Sequence, residues 1–301
     1  MKFREIVKKT RIDFIGLRNK TFVLSAILVL LGLIGFVMIW AGKANLSVDF
    51  TGGTNLLVSF SGPVTIGELR TALAKGEIPD VQIQQVAGKN EFFVKTILMN
   101  TRTEKVQDKV GKILTSAFPG KTYQVLRSDM VGSSVGRAFK KSSIIAIVLS
   151  LLGIIIYIAC RFNFIFGVAA TIATFHDVLV LLGIFWVFGF EMNILFITAL
   201  LTIAGYSLTD TVVVYDRIRE NMVKMKSRAD LANTINVSIN EVLSRTLITS
   251  LTTLIASASL LAVGGANLFD FSFALFVWVL VGTYSSIFVA SPLVYLWKRR
   301  T

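Results

Sequence analysis

Apolar positions gather into six blocks along the chain: Phe22–Trp40, Ser143–Ala159, Phe164–Phe188, Asn193–Tyr215, Thr246–Val263 and Phe271–Trp297. About 20 apolar residues carry a helix across a hydrocarbon core of ~30 Å, so each block reads as one membrane span. The spacing between blocks is uneven. One span lies within 21–41, a long polar insert follows over 42–137, and five spans crowd into 138–301. The pattern predicts a polytopic α-helical membrane protein with six spans arranged 1+5, preceded by a short terminal segment at 1–20.

Inside the insert the periodicity changes. "TNLLVSF" places Leu56, Val58 and Phe60 on one face, as a half-buried strand does. Thr65 and Glu68 have the T-x-x-E spacing of a capping box, followed at helical spacing by Ile66, Leu69 and Leu73. The device recurs at Thr101 and Glu104, ahead of Val106, Val110, Ile113, Leu114 and Ala117. "VQIQQV" and "EFFVKTIL", joined by "AGKN", read as a hairpin, and "TYQVL" at Thr122–Leu126 as a last strand. The order βαββαβ predicts a ferredoxin-like α+β domain, two helices covering one face of a four-stranded antiparallel sheet. At its root "VDFTGGT" sets Gly52 and Gly53, residues that tolerate positive φ, where the chain leaves the first span. The insert holds no His/Cys cluster, phosphate loop or nucleophile elbow, which points to a binding or mechanical module.

Composition agrees with a membrane protein: 54% of the 301 residues are hydrophobic. The net charge of +13 would suit a nucleic-acid partner, but the cations sit where loops flank the spans. Lys and Arg gather at the N-terminus, at Arg161, between Arg217 and Arg228, and at Lys298–Arg300, whereas "GFEMN" and "GGANLFD" have none. The excess of Lys and Arg on cytoplasmic loops then places both termini in the cytosol and the insert outside it. Seven Lys/Arg precede the first span and no A-x-A-like cleavage pattern follows it, so it reads as a retained anchor. Through 229–241 and just beyond it, Leu231, Ile235, Ile239 and Val242 share a helical face, which suits either a helix lying in the membrane interface or packing on the next span. Cys160 is the single cysteine and forms no internal disulfide.

Charges inside the spans carry the chemistry, because each costs at least ~2.5–3.5 kcal/mol at a helix centre. They are Asp177, Asp210 and Arg245, with His176 beside the first. Asp210 and Arg245 fall at matching depths of spans four and five. A carboxylate facing a guanidinium can change protonation when the pair separates or water reaches it, which is what a proton relay needs. A static ion pair between two helices is the alternative. Hydroxyl and small residues repeat beside both, at Thr198, Thr202, Gly205 and Thr209 in span four and at Thr249, Thr252 and Ala256 in span five. They suit close helix packing or a water wire. His176 and Asp177 read as a polar clamp or a relay, the carboxyl being protonated or hydrogen-bonded to a neighbour such as His176 or a span-four hydroxyl. Asp216 follows a tyrosine, but the partner Gly-x-Gly-Asp of an intramembrane aspartyl protease is absent.

"VDFTGGT", "FHDV" at Phe175–Val178, "GYSLTDTVVVYDRIREN" at Gly205–Asn221 and "SRTLITS" at Ser244–Ser250 together resemble the SecF family of the resistance-nodulation-division superfamily. The resemblance runs through all six spans and the insert. It implies a subunit of the bacterial inner membrane that pairs with SecD, serves the SecYEG channel and uses the proton motive force to help draw unfolded preproteins outward. No cofactor or metal is implied. The family's essential carboxylate falls on Asp210 and its arginine on Arg245, and its signature at the outer domain on Asp49, Phe50, Gly52 and Gly53. Thr209 stands where the family usually has Asn, which leaves a hydroxyl in place of an amide. An exporter half for lipids or small molecules and a passive translocon scaffold are the competing readings.

Overall fold

The computed structural model describes residues 10–78, 81–86, 88–97, 105–225, 227 and 230–300. The chain divides into two compact units, residues 46–144 and the remainder.

In the first unit, β1 (Gly53–Phe60), β2 (Gln82–Gln85), β3 (Glu91–Thr96) and β4 (Tyr123–Val131) form one antiparallel sheet in the order β2-β3-β1-β4. Helices α3 (Ile66–Lys75) and α4 (Val106–Ala117) supply the other half of the core. Leu56, Val58, Phe60, Phe92 and Val94 meet Leu69, Leu73, Val110 and Leu114 there. The element order is the expected βαββαβ. Ala117 is exposed and Phe118, one residue on, is buried in its place. The final strand extends to Val131, with a bulge opposite Leu57/Val58 that absorbs the extra length. At the start of α3 the Thr65 N–H and hydroxyl both donate to Glu68, whose own N–H donates back to Thr65 Oγ1. Those bonds, the backbone one first, hold the Glu68 carboxyl below the usual carboxylate range. The second capping box, at Thr101 and Glu104, and Ala87 of the hairpin turn lie outside the described residues.

The double glycine has a specific geometry. A one-turn helix, α2 (Val48–Thr51), precedes it, with the Asp49 N–H donating to Ser47 Oγ and Phe50 buried. Gly52 and Gly53 then take φ +75° and +122°, values that L side chains rarely adopt. A Cβ on Gly53 would lie 2.3 Å from the Thr96 carbonyl oxygen, and one on Gly52 would lie 2.8 Å from Ser133 Cα. The pair turns the chain into β1 while letting β3 and the start of α5 (Ser133–Arg161) come close. This geometry is one of close backbone packing.

The second unit contains α1 (Arg18–Trp40), the later part of α5, α6 (Phe164–Phe188), α7 (Ile194–Val223), α8 (Leu231–Val263), and α9 (Gly265–Ser285) continued through a π turn, Ser286–Ala290, into α10 (Ser291–Arg300). Six of these helical runs are long and apolar enough to cross a membrane. α7 and α8 overrun their apolar blocks. α7 continues past Tyr215 to Val223, and the amphipathic segment, expected at 229–241, is the first part of α8 from Leu231 rather than a separate piece; residue 229 lies outside the described residues. Leu231, Ile235 and Ile239 are buried against Tyr215, Ile218, Phe14 and Ile15, so that face packs inside the protein. Asparagines fix the contact, the Ile15 and Ile12 N–H groups donating to Asn236 Oδ1 and Asn240 Oδ1. α1 packs on α6 through glycines, Gly32 and Gly35 lying against Leu179, Leu182 and Gly183.

Candidate polar core and carboxylate face

α7 carries two polar rows, and the structure separates them. One row, Ser207, Thr211 and Tyr215, repeats every four residues and is buried. Each member is bonded to a neighbouring helix. Ser207 Oγ donates to Asp177 Oδ2 of α6, and Ser285 Oγ of α9 donates to the same oxygen at 2.8 Å. Asp177 Oδ1 lies 3.0 Å from His176 Nδ1. One turn on, Thr211 Oγ1 and Ser286 Oγ are 3.0 Å apart; a further turn on, Tyr215 Oη donates to the Ala290 carbonyl at 3.2 Å. That carbonyl ends the π turn, where the helix ladder is widened and a side chain from α7 fills the gap.

Asp177 is therefore a knot. Only 1% of it is exposed, and it gathers donors from α6, α7 and α9. Such a fully satisfied carboxyl holds three helices in register, because pulling any one away strands a polar group in an apolar interior. On the far side of His176, Tyr284 lies with ring centroids 6.2 Å apart, and its hydroxyl donates to the Thr21 carbonyl of α1 at 2.7 Å.

The other row faces outward. Thr198, Thr202, Gly205, Tyr206 and Thr209 of α7 are exposed, as are Arg245, Thr252, Ala256 and Ser259 of α8. The threonines donate to carbonyls of their own helix, Thr202 to Thr198 and Thr209 to Gly205, so a lipid or a helix can face them equally well. Thr209 makes no bond to Asp210.

Asp210 is half-buried at the edge of this face. It lies thirteen residues before the end of α7, and Arg245 lies fourteen after the start of α8, so both sit about 20 Å from the connecting turn. Arg245 acts on the Asp210 charge, yet no ion pair within 4.0 Å joins them. Among the described residues neither side chain has a hydrogen bond, in contrast to Asp177. Two in-membrane charges within electrostatic reach, neither one satisfied, occupy an exposed face. The site residues expected from sequence thus part company: Asp210 and Arg245 share one surface, His176 and Asp177 form an interior knot, and Asp49, Phe50, Gly52 and Gly53 belong to the other unit. Ser207 is the span-four hydroxyl expected beside Asp177, whereas Ser285, Ser286 and Tyr215 escaped the sequence reading, since nothing local signals the distant groups they meet.

Two families match this architecture: SecD/SecF GG Motif over residues 39–64, and Protein export membrane protein SecD/SecF, C-terminal, over 109–300. A protein translocase subunit SecF from Thermodesulfovibrio yellowstonii is 48% identical over 97% of this chain and 96% of its own length. The chain belongs to the SecD/SecF family of protein-export membrane proteins. The crystal structure of SecDF from Thermus thermophilus, a translocon-associated membrane protein, superposes with a TM-score of 0.84 at 38% identity, over 97% of this chain and 39% of that one. A second SecDF crystal structure, in a super-membrane-facing form, gives 0.68 at 36% identity, over 98% of this chain and 40% of that one. This SecD/SecF family member is a multi-pass membrane protein with an accessory role in protein export. Among the described residues no group of three or more His, Cys, Asp or Glu is placed to hold a metal.

Proposed function

We propose that this chain is a proton-coupled subunit of the export machinery, in which Asp210 takes up and releases the proton, Arg245 compensates its charge, and SecD covers the face on which both lie. The observation that carries this reading is the contrast between the two intramembrane carboxyls. Asp177 has every donor it needs, whereas Asp210 has none among the described residues and lies half-buried at the edge of the open face, near an exposed guanidinium. An isolated charge in hydrocarbon is costly enough that a partner surface, a proton or water must meet it. The fused SecDF chain supports a SecD partner, since the segment resembling this chain covers only 39% of it. The family resemblance supports SecYEG as the channel and an unfolded preprotein as the cargo, and the Lys/Arg distribution supports both termini in the cytosol and the ferredoxin-like domain outside. The differing fits to two SecDF structures support a family whose architecture takes more than one form.

The direct test uses membrane vesicles with the Sec channel and SecD, with or without this chain, and follows release of a stalled precursor under an imposed proton gradient. Acceleration is expected only when the chain is present; equal acceleration without it would overturn the reading. The partner face has its own test. A Cβ on Gly205 meets nothing within 4 Å in this chain. Gly205→Leu is expected to leave the purified chain's unfolding midpoint unchanged and to reduce the SecD that copurifies with it, whereas undiminished copurification would move SecD to another face.

A further inference from the structure

A cleft of about 460 Å³ opens at the end of the helix bundle where α5 turns into α6 and where α7 and α10 end. Its lining includes Arg161, Asn163, Phe166, Asp216, Arg219 and Lys298. The charges do not cancel. Asp216 is taken by Arg161, whose Nη2 lies 2.9 and 2.8 Å from the two carboxylate oxygens. Glu220, the other acid on the lining, is held by Arg217 and by Lys224. Arg219 and Lys298 are left, and among the described residues neither has an ion pair or a hydrogen bond.

Aromatic rings hold these two cations in place. The Arg219 guanidinium carbon lies 5.5 Å from the Phe162 ring centre and that of Arg161 lies 5.1 Å from the same ring; Lys298 Nζ lies 5.7 Å from the Phe166 ring. Phe162 and Phe166 are themselves stacked and buried. A cation over a ring keeps its N–H donors free for another acceptor, and the ring limits the rotamers it must surrender to bind one. Asn163 caps α6, so the positive end of that helix opens on the same cleft. Phe164 and Trp297, in edge contact at 5.8 Å, stand beside it as aromatics do at a membrane interface.

We propose that this cleft binds the phosphate group of an anionic phospholipid headgroup, with Arg219 and Lys298 as its ligands and the Arg161–Asp216 pair as a fixed wall. Two uncompensated cations at the level where helices leave the hydrocarbon suit a singly charged phosphodiester, and basic pockets between spans recognise such headgroups by this chemistry. A free phosphate would satisfy the same donors, but the adjoining apolar rim favours a ligand that also carries acyl chains.

The full chain is purified in detergent and titrated with phosphatidylglycerol, with phosphatidylcholine and with inorganic phosphate, counting bound lipid by native mass spectrometry and following the unfolding midpoint. Phosphatidylglycerol is expected to bind in preference to phosphatidylcholine. In R219Q/K298Q its affinity should fall roughly 30-fold, at about fivefold per cation near a charged headgroup. Lys20→Gln, an exposed cation off the cleft that pairs with no acid of its lining, should leave it unchanged. Stabilisation of the wild type by inorganic phosphate alone, lost in R219Q/K298Q, would support the phosphate site and assign it to a soluble anion. If the double variant does not fold, Lys298→Gln alone should show a fivefold loss and Lys298→Arg none. Binding of phosphatidylglycerol unchanged in the folded variants, or lost equally in Lys20→Gln, would overturn the proposal.

Discussion

Asp210→Asn is expected to abolish the gradient-dependent acceleration of export while leaving the chain's abundance and its association with SecD unchanged. Asparagine has nearly the same shape and cannot carry the proton or the charge. The substitution removes no bond within this chain, because the Asp210 carboxyl has no hydrogen bond among the described residues. Only its relation to Arg245 changes. One elementary charge moved through 100 mV is worth about 2.3 kcal/mol. If all of it lowered a rate-limiting barrier, the stimulation at stake would be ~50-fold. Asp177→Asn supplies the contrast. Ser207 and Ser285 both donate to one oxygen, Oδ2, so an amide oxygen there keeps both bonds, and the amide N–H donates to His176 Nδ1 with the imidazole proton on Nε2. That variant should retain the acceleration. Precursor release in vesicles, with and without an imposed gradient, measures both; acceleration kept in Asp210→Asn and lost in Asp177→Asn would exchange the roles of the two carboxyls.

A large effect on stability is expected from Gly32→Leu. A Cβ at this position would lie 2.2 Å from the Leu179 carbonyl oxygen and 2.5 Å from its carbon, on the facing helix α6. Those are backbone atoms, so no rotamer change relieves the overlap. Gly183 answers from the other side, its Cβ position falling 2.7 Å from Gly32 N. Small residues allow such backbone approach, and in a membrane the packing they permit is the main attraction between helices. Overpacking a close contact costs about 1–3 kcal/mol even where side chains can yield, and here the two helices must part. The expected result is a lower midpoint in SDS unfolding of the full chain, followed by circular dichroism. Gly153→Leu is the control, since a Cβ there meets nothing within 4 Å. Equal midpoints for the two variants would mean that α1 is not anchored through Gly32.

Hydrophobic patterning alone located the six membrane helices and the insert between the first two, because burial in lipid demands long unbroken apolar runs. The same logic read the βαββαβ order, where Leu56, Val58 and Phe60 alternate and Thr65 caps a helix with Glu68. It erred at ends. Tyr215 marks the end of apolar sequence but not of α7, since the polar residues beyond it find Glu241 and Ser238 on α8 and continue the helix.

Sequence also determined which charges stand in the membrane, and by depth it matched Asp210 with Arg245. It could not rank the carboxyls. What separates Asp177 from Asp210 is the company each keeps, and that company comes from serines 30 and 108 residues away from Asp177. A helix repeat says which residues share a face; only the packing of α6, α7 and α9 decides which face is satisfied inside and which is left open. The cleft at Arg219 and Lys298 follows the same rule. The loop charges were plain in the sequence, whereas their uneven pairing depends on which acids the folded chain brings within reach of which cations.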